Sequence, residues 1–581
     1  MSGSTKLEQW VPGFKLVRDY RREWLRSDVP AGLSIAAVAL PIGIAYAQLG
    51  GFPPVVGIYS CILPAVAYAI FGSSRQLVVN PDAAACAIVA ATVAPLAAGD
   101  ATRYMDLSII LTFATGLLCI AGGIAGLGVI ANFLSRPILT GYLNGIALTI
   151  IASQLGKLLG FSVAPAGFFR TVAEVVSRLS ETHVATLSVG LSLFVMLLVL
   201  KRLIPKLPGP LIVAAIGCGV VFLLALQQQG VAVVGAVPAG FPAPRIPSAG
   251  MTDLWPIAFG AGGIMLVSFC SMMTTARGFA AKNGYAIDVN QDMFALGVSD
   301  LASGLTSGFV VSGADSRTAV ADSAGGKTQI ASIVAAAAMA AVLMFLTRPL
   351  AYLPTAALSA ILVSSALGLF DVASLRRYYR VSRPEFRHSV VAMLGVMTVG
   401  VLPGVLIAVA LALLKLLRLA SRPRDAVLRA VAGPDGVART TKREEGGEVI
   451  PGLIIYRFDS SLVFFNADYF KDRVRTVIEQ EPSKLRVFIL DAEAMSVLDI
   501  TGAYALEGLL TELARQGIDL EVARAKGLFR LMLERTGVAE QIGETHMFPT
   551  VRAGIQAFLE ITSPDAGKRR EVGLAAAERQ V

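Results

Sequence analysis

From about residue 29 to about residue 419 the chain is apolar almost without interruption. A water-soluble core stops growing at roughly 250–300 residues and needs a polar surface to cover it. This chain has little to offer: 16% of its 581 residues are Asp, Glu, Lys or Arg, against about a quarter in soluble domains. With a mean hydropathy of +0.67, most of the chain is solvated by a bilayer. Fourteen segments near the roughly 20 residues that cross about 30 Å of hydrocarbon are expected. They lie at about 29–49, 54–72, 83–97, 106–130, 137–159, 186–201, 209–228, 255–279, 291–309, 315–326, 329–347, 355–370, 386–402 and 404–419. The residues before them lack the apolar core of a signal peptide and carry Lys15, Arg18, Arg21, Arg22 and Arg26, so the N-terminus is expected in the cytoplasm. With that orientation the basic clusters, Lys201 and Arg202 and then Arg376, Arg377, Arg380, Arg383 and Arg387 among them, fall on inner connections. An even number of crossings returns the C-terminus to the same side. The Pro/Gly-rich outer loop at 236–250 reads as the crossover between two halves.

Five cysteines, at 61, 86, 119, 218 and 270, lie singly in apolar stretches, and His183, His388 and His546 stand apart from one another. No spacing resembles a zinc or disulfide framework, so neither a metal nor another cofactor is expected. No phosphate-binding ATP motif is present either: the Gly-rich run at 121–128 follows no strand and reads as close helix packing. Nothing suggests a nucleic-acid partner. An enzyme reading has no chemistry to rest on.

Segments three and ten are too short to span alone. Each follows a similar phrase, Val78-Val79-Asn80-Pro81-Asp82-Ala83 in the first half and Val310-Val311-Ser312-Gly313-Ala314-Asp315-Ser316 in the second. Paired short, interrupted segments in two halves mark inverted repeats with discontinuous helices. The unbonded N–H groups and positive dipole end of a half-helix can replace the hydration shell of an anion. The bland alternative is a pair of ordinary capping turns between short buried helices. Arg317, early in the second short segment, is a cation at membrane depth, which must be paired or face a cavity. Its partner is either an anionic substrate or one of the carboxylates of Asp82 and Asp315, and each acid is equally placed to cap a half-helix.

From about residue 450 the pattern is that of a soluble domain. Strands are expected at 453–458, 462–465, 487–490 and 518–523. Helices are expected after Asn466, with Phe470, Val474, Val477 and Ile478 inward, after Asp499, with Ala505, Leu506, Leu509, Leu510 and Leu513 inward, and at about 527–535. Alternation of this kind gives a small α/β sandwich. The expected domains are a cytoplasmic N-terminal segment at 1–28, a membrane block at 29–420, a charged linker at 421–449, the α/β domain at 450–562 and a polar tail at 563–581.

The opening phrase VPAGLSIAAVALPIGIAYAQLGGFPPVVGIYSCILPAVAYAIFGSSRQLVV resembles the first two segments of the sulfate permease (solute carrier 26) family of anion transporters. So do LSRPILTGYLNGIALTI and DSRTAVADSAGGKTQI, in the same order, and the C-terminal block resembles a STAS domain with Leu498-Asp499-Ile500-Thr501-Gly502 at its signature turn. The resemblance implies a polytopic α-helical membrane protein of fourteen segments in two inverted repeats of seven, a core domain moving against a gate domain, with a cytoplasmic α/β STAS domain. It also implies a homodimer, a multi-pass place in a bacterial-type inner membrane with both termini cytoplasmic, lipid neighbours, and a cytoplasmic partner for the STAS domain. On that basis the chain is expected to be a secondary active transporter of a small inorganic anion, sulfate first, coupled to a proton or sodium. Carriage of bicarbonate or a C4-dicarboxylate stands as the alternative, and a membrane-anchored STAS regulator without transport as a reading of another class. The expected substrate contacts are Tyr46, Asp82, Ala83, Ala84, Asp315, Ser316 and Arg317; Tyr46 reads equally as a packing residue. Asp82, Asp315 and Ser271 are the coupling positions, and Asp499 and Thr501 the regulatory ones, with plain helix capping the simpler role for Thr501. Two departures from the family pattern bear on mechanism. Ile42 stands where the family's first-segment phrase has Gln, and Ser271 where many bacterial relatives have an acid.

Overall fold

The structure, a computed structural model, describes residues 10–132, 135–163, 167–204, 207–241, 247–248, 250, 253–432, 438–442, 450–481 and 483–562. Residues up to Ala412 form one compact unit and those from Leu413 another. The tail expected at 563–581 lies outside the described residues, as do parts of the 236–250 crossover and of the N-terminal segment.

In the first unit a short helix α1 (Pro12–Arg18) precedes α2 (Leu25–Leu49), α3 (Pro54–Phe71), strand β1 (Val79–Pro81), α4 (Ala83–Ala97), α5 (Ala101–Ile124), α6 (Arg136–Leu159), α7 (Phe168–Ser177), α8 (Val184–Leu203) and α9 (Gly209–Leu223). The second half runs α10 (Leu254–Asn283), α11 (Val289–Leu305), strand β2 (Val311–Gly313), α12 (Asp315–Ser323), α13 (Ile330–Phe345), α14 (Thr355–Leu369), α15 (Val372–Val381), α16 (Arg383–Val399) and α17 (Val401–Ser421), whose residues from Leu413 fall in the second unit. A helix falls on each of the fourteen expected segments. Seven of the helical stretches among the described residues are long and apolar enough to cross a bilayer by themselves.

Two packing groups organise these helices. In one, α2 packs on α3 and α13, α11 on α5 and α3, and α10 on α4 and α5; in the other, α6 packs on α16 and α14, and α8 on α14 and α9. The groups meet where α2 touches α14 and α9. Between helices, lipid tails give no hydrophobic drive, so small residues that let backbones approach carry the packing. A Cβ on Gly57 of α3 would run into the carbonyl oxygen of Gly43 on α2, and one on Gly141 of α6 into that of Ser389 on α16.

The crossing point of the fold is the antiparallel pair β1–β2, in which Asn80 lies opposite Ser312 and Pro81 opposite Val311. Antiparallel pairing is what two halves of opposite direction produce when they meet at equivalent places. The amide of Ala314 donates to Val78 O at 2.8 Å, and that of Val78 to Thr318 Oγ1 at 3.0 Å. These bonds fix the starts of the half-helices α4 and α12 against each other. Helix α4 begins after Pro81, with Asp82 as its cap, accepting from the Ala84 amide at 3.1 Å. It ends at Ala98 and Gly99, both in the left-handed region.

The second unit is an α/β domain on a six-stranded sheet in the order β4-β3-β5-β6-β7-β8. Its strands are β3 (Asp425–Ala432), β4 (Ala438–Lys442), β5 (Leu453–Phe458), β6 (Val487–Asp491), β7 (Asp519–Ala523) and β8 (Met547–Phe548), and β5 to β8 run parallel. One face buries Phe470, Val474, Leu506, Leu509 and Phe529 from α18 (Ala467–Glu479), α19 (Ile500–Arg515) and α20 (Gly527–Arg535), followed by the short α21 (Val538–Ile542). The other is covered by Val551, Ile555 and Phe558 of α22 (Val551–Thr562). Two expectations need correction here. The segment 421–449, read as linker, contributes β3 and β4; β3 pairs with β5, a partner some thirty residues on that local composition does not reveal. The strand expected at 462–465 is reduced to a single bridge between Leu462 and Leu498. It bends into a turn because Asn466 Oδ1 accepts the Val463 amide at 3.0 Å and Asp499 Oδ2 accepts that of Phe464 at 2.7 Å.

Candidate anion-binding site

The β1–β2 pair brings the starts of both half-helices to the wall of one cavity of about 480 Å³. Tyr46 from α2, Asp82 and Ala84 from the first half-helix, Ser271 from α10, and Asp315, Ser316 and Arg317 from the second line it together. Ala83 does not line it and is buried. The opposite wall comes from the other packing group: Leu143 of α6, Leu197 and Lys201 of α8, and Ile361, Ser364, Ser365 and Gly368 of α14.

Arg317 is the chemical centre of this arrangement. It is 2% exposed, it donates from Nη2 to the carbonyl of Pro81, and its Nε has no hydrogen-bond partner. Its guanidinium lies 5.7 Å from the ring centroid of Tyr46, where the ring face attracts a cation. No carboxylate forms an ion pair with it among the described residues. Asp82 and Asp315 line the same cavity without closing on it: Asp82 caps α4, and Asp315 accepts from the hydroxyl of Thr275 on α10. Both carboxylates still lie close enough to attract the guanidinium electrostatically, so an incoming anion meets a cation that they offset only in part and without a direct ion pair. The first-turn amides of α12 add donors of the same sign, whereas the Ala84 amide at the start of α4 is already given to Asp82.

Ile42 and Ser271, the two departures, both line the cavity, so an aliphatic group and a hydroxyl occupy those walls. Sequence reasoning missed the second wall and Thr275. Residues such as Leu197 and Ile361 sit in apolar spans that read alike whether they face lipid, protein or a cavity. The only faint signals were the adjacent hydroxyls of Ser364 and Ser365, and Thr275 one helical turn after Ser271.

Asp499 and Thr501 lie in the second unit. Asp499 caps α19, accepting from the amides of Gly502 and Phe464, both at 2.7 Å, which uses each of its oxygens. Thr501 is exposed in the first turn of α19. Another acid of that unit, Asp491, is fully buried and receives Nε of Arg524 at 2.8 Å, with Arg524 itself at φ 62°.

A family profile described as the sulfate permease family matches residues 25–416. The chain belongs to the sulfate permease family. A STAS domain profile matches residues 447–554. A probable sulfate transporter of Mycobacterium tuberculosis is 41% identical, over 94% of this chain and 98% of the relative. Sulfate transporter 1.1 of Arabidopsis thaliana is 31% identical, over 92% and 86%. Among solved structures, the murine Solute Carrier 26 family member A9 anion transporter superposes with a TM-score of 0.87 at 24% identity, covering 96% of this chain and 95% of that one. The transmembrane domain of a cyanobacterial bicarbonate transporter, BicA, gives 0.60 at 20%, covering 68% and 98%. These two carry the fold alone. The chain is thus a multi-pass membrane anion transporter with a C-terminal STAS domain, and a transporter rather than an enzyme.

Proposed function

We propose that this sulfate permease is a secondary active transporter of small inorganic anions, with sulfate as the principal substrate and a proton as the coupling ion. It would reside in a bacterial-type inner membrane, with both termini cytoplasmic, and work as a homodimer. The observation that carries the reading is Arg317: a buried guanidinium in no direct ion pair, with an unbonded Nε, set beside two helix starts on a cavity wall. A tetrahedral dianion suits such a site, because oxygen acceptors on every side can take up bonds from Arg317, Ser316 and the half-helix amides. The names of the curated relatives favour the same substrate.

The cavity lies between the two helix groups, so sliding of one against the other would carry the ion from one face to the other. Asp315, exposed to the cavity and tied to α10 through Thr275, and Asp82, at the start of α4, are the carboxyl groups that can bring the proton. Ser271 takes no part in proton carriage, since its hydroxyl does not ionise in the relevant range. Thr501, exposed beside the Asp499 cap, is the point at which a cytoplasmic partner or a modification would read the STAS domain.

The test is uptake of labelled sulfate by proteoliposomes carrying the purified chain, with and without an inward proton gradient, against competing bicarbonate, succinate, chloride and selenate. Gradient-stimulated uptake inhibited best by selenate is expected. Equal inhibition by all four would remove the substrate assignment, and uptake indifferent to the gradient would remove the proton.

A further inference from the structure

Between α14 and α16 lies a short stretch with an unusual charge balance. Arg376, Arg377 and Arg380 on α15, and Arg383 and Arg387 in the first turns of α16, are all exposed. Among the described residues none of the five forms an ion pair. The nearby acids are already engaged: Asp371 caps α15 by accepting the Ser374 amide at 2.9 Å, and Glu385 has a partner of its own. Arg383 lies 5.8 Å over the ring of Tyr379, which meets Phe386 edge-on at 5.2 Å.

At 100° per residue, Val372, Leu375, Tyr378 and Tyr379 fall on one arc of α15, and Arg376, Arg377 and Arg380 on the neighbouring arc. The apolar arc is only partly covered: Val372 is 40% and Tyr379 53% exposed. The helix is ten residues long, too short and too basic to cross a bilayer. It follows the apolar α14 and precedes the apolar body of α16, so it sits where hydrocarbon gives way to headgroups. An open apolar arc beside an unpaired basic arc is the composition of a helix lying in that plane. Two bonds hold it to α6: the Tyr378 hydroxyl is 3.3 Å from that of Thr140, and Asn144 Oδ1 accepts the Asp371 amide at 2.7 Å.

We propose that α15 and the first turns of α16 form a binding site for anionic phospholipid headgroups. The arginines engage the phosphodiester oxygens, and Val372, Leu375 and Tyr379 rest on the acyl boundary. Guanidinium suits this role because its planar fork bonds two phosphate oxygens at once. The inference rests on the reading of this side as the inner leaflet, to which the clustered arginines also point. Because α15 is fastened to α6, bound lipid would pin the α6–α14–α16 group at constant depth while the group bearing Arg317 moves.

The experiment titrates the full-length chain in neutral detergent with short-chain phosphatidylglycerol and, separately, short-chain phosphatidylcholine, following heat. The triple variant Arg376→Gln, Arg377→Gln, Arg380→Gln is compared with the triple Arg→Lys variant and the native chain, after elution profile and melting show that all three are folded. Each basic group near a membrane surface contributes about a fivefold gain for an anionic headgroup. The Gln variant should therefore lose at least about tenfold in phosphatidylglycerol affinity, whereas the Lys variant stays within about threefold of native and phosphatidylcholine binding stays weak throughout. Native binding should also fall steeply with salt. Equal phosphatidylglycerol affinity in the native and Gln proteins, or no preference over phosphatidylcholine in the native one, overturns the proposal. That second result is what an acidic protein surface as the true occupant would give. Sulfate binding at Arg317 is measured in the same samples, so a failure here is distinguishable from a failure of the transport reading.

Discussion

Replacing Arg317 by Gln should weaken sulfate binding by about one to two orders of magnitude. A hydrogen bond to a charged group contributes about 1.5–3 kcal/mol, and each 1.4 kcal/mol is about tenfold in affinity. The guanidinium is 2% exposed, so screening by water, which shrinks such terms at a surface, is small here. The variant also loses the bond from Nη2 to the Pro81 carbonyl and the contact with the Tyr46 ring, but Gln keeps an amide able to reach backbone. Because the Coulomb part scales with ligand charge, sulfate should lose more affinity than a monovalent competitor such as nitrate. Arg317→Lys, which retains the charge without the planar fork, should fall between native and Gln. Equilibrium binding of labelled sulfate to purified protein, with counterflow uptake in vesicles, measures both ratios. If folded Arg317→Gln protein binds sulfate with native affinity, or loses nitrate and sulfate equally, the guanidinium does not face the anion and the site has been misassigned.

Asp315→Asn and Asp82→Asn should uncouple uptake from the proton gradient singly or together; if uptake by the double variant still rises with the gradient as in native protein, neither acid carries the proton. In the STAS unit, burial and the neighbouring Asp519 push the Glu521 carboxyl from 4.5 up to about 7. A carboxyl raised on folding favours the folded state while protonated: its contribution is complete below about 4.5 and is lost as pH climbs to about 7. Glu521→Gln should therefore leave stability at about pH 4 unchanged and raise it by about 2–3 kcal/mol at about pH 8, as chemical denaturation followed by STAS-domain circular dichroism will show; an equal effect at both pH values refutes the shift. Gly141→Ala puts a methyl group against the Ser389 carbonyl and should cost about 1–3 kcal/mol, seen as a lower melting temperature in detergent, with unchanged melting showing that α6 and α16 can part freely.

Much of this architecture is written in the chain itself, because two of its causes are local. Hydrocarbon tolerates only segments whose backbone bonds are closed internally, and a long apolar run is the helical way to do it, so the run from 29 to 419 announces its solvent without any knowledge of contacts. The half-helices are equally local: Asn80-Pro81-Asp82 and Ser312-Gly313 interrupt that run and supply a cap and a bend, and the oddity of Arg317 beside one of them singles it out. Tertiary structure decided what depends on distance and facing. Leu197, Lys201, Ile361 and Ser364 become a cavity wall only when α8 and α14 pack opposite the β1–β2 pair. That Arg317 forms no direct ion pair with either acid appears only when Asp82 hydrogen-bonds at the start of α4 and Asp315 to Thr275. Strands β3 and β4 exist because β5 offers an open edge, and edge pairing leaves no periodic trace in a charged segment. In a membrane protein the inside of the fold and its solvent are alike in polarity, so composition tells where the lipid is and is silent on which side chain of a span looks away from it.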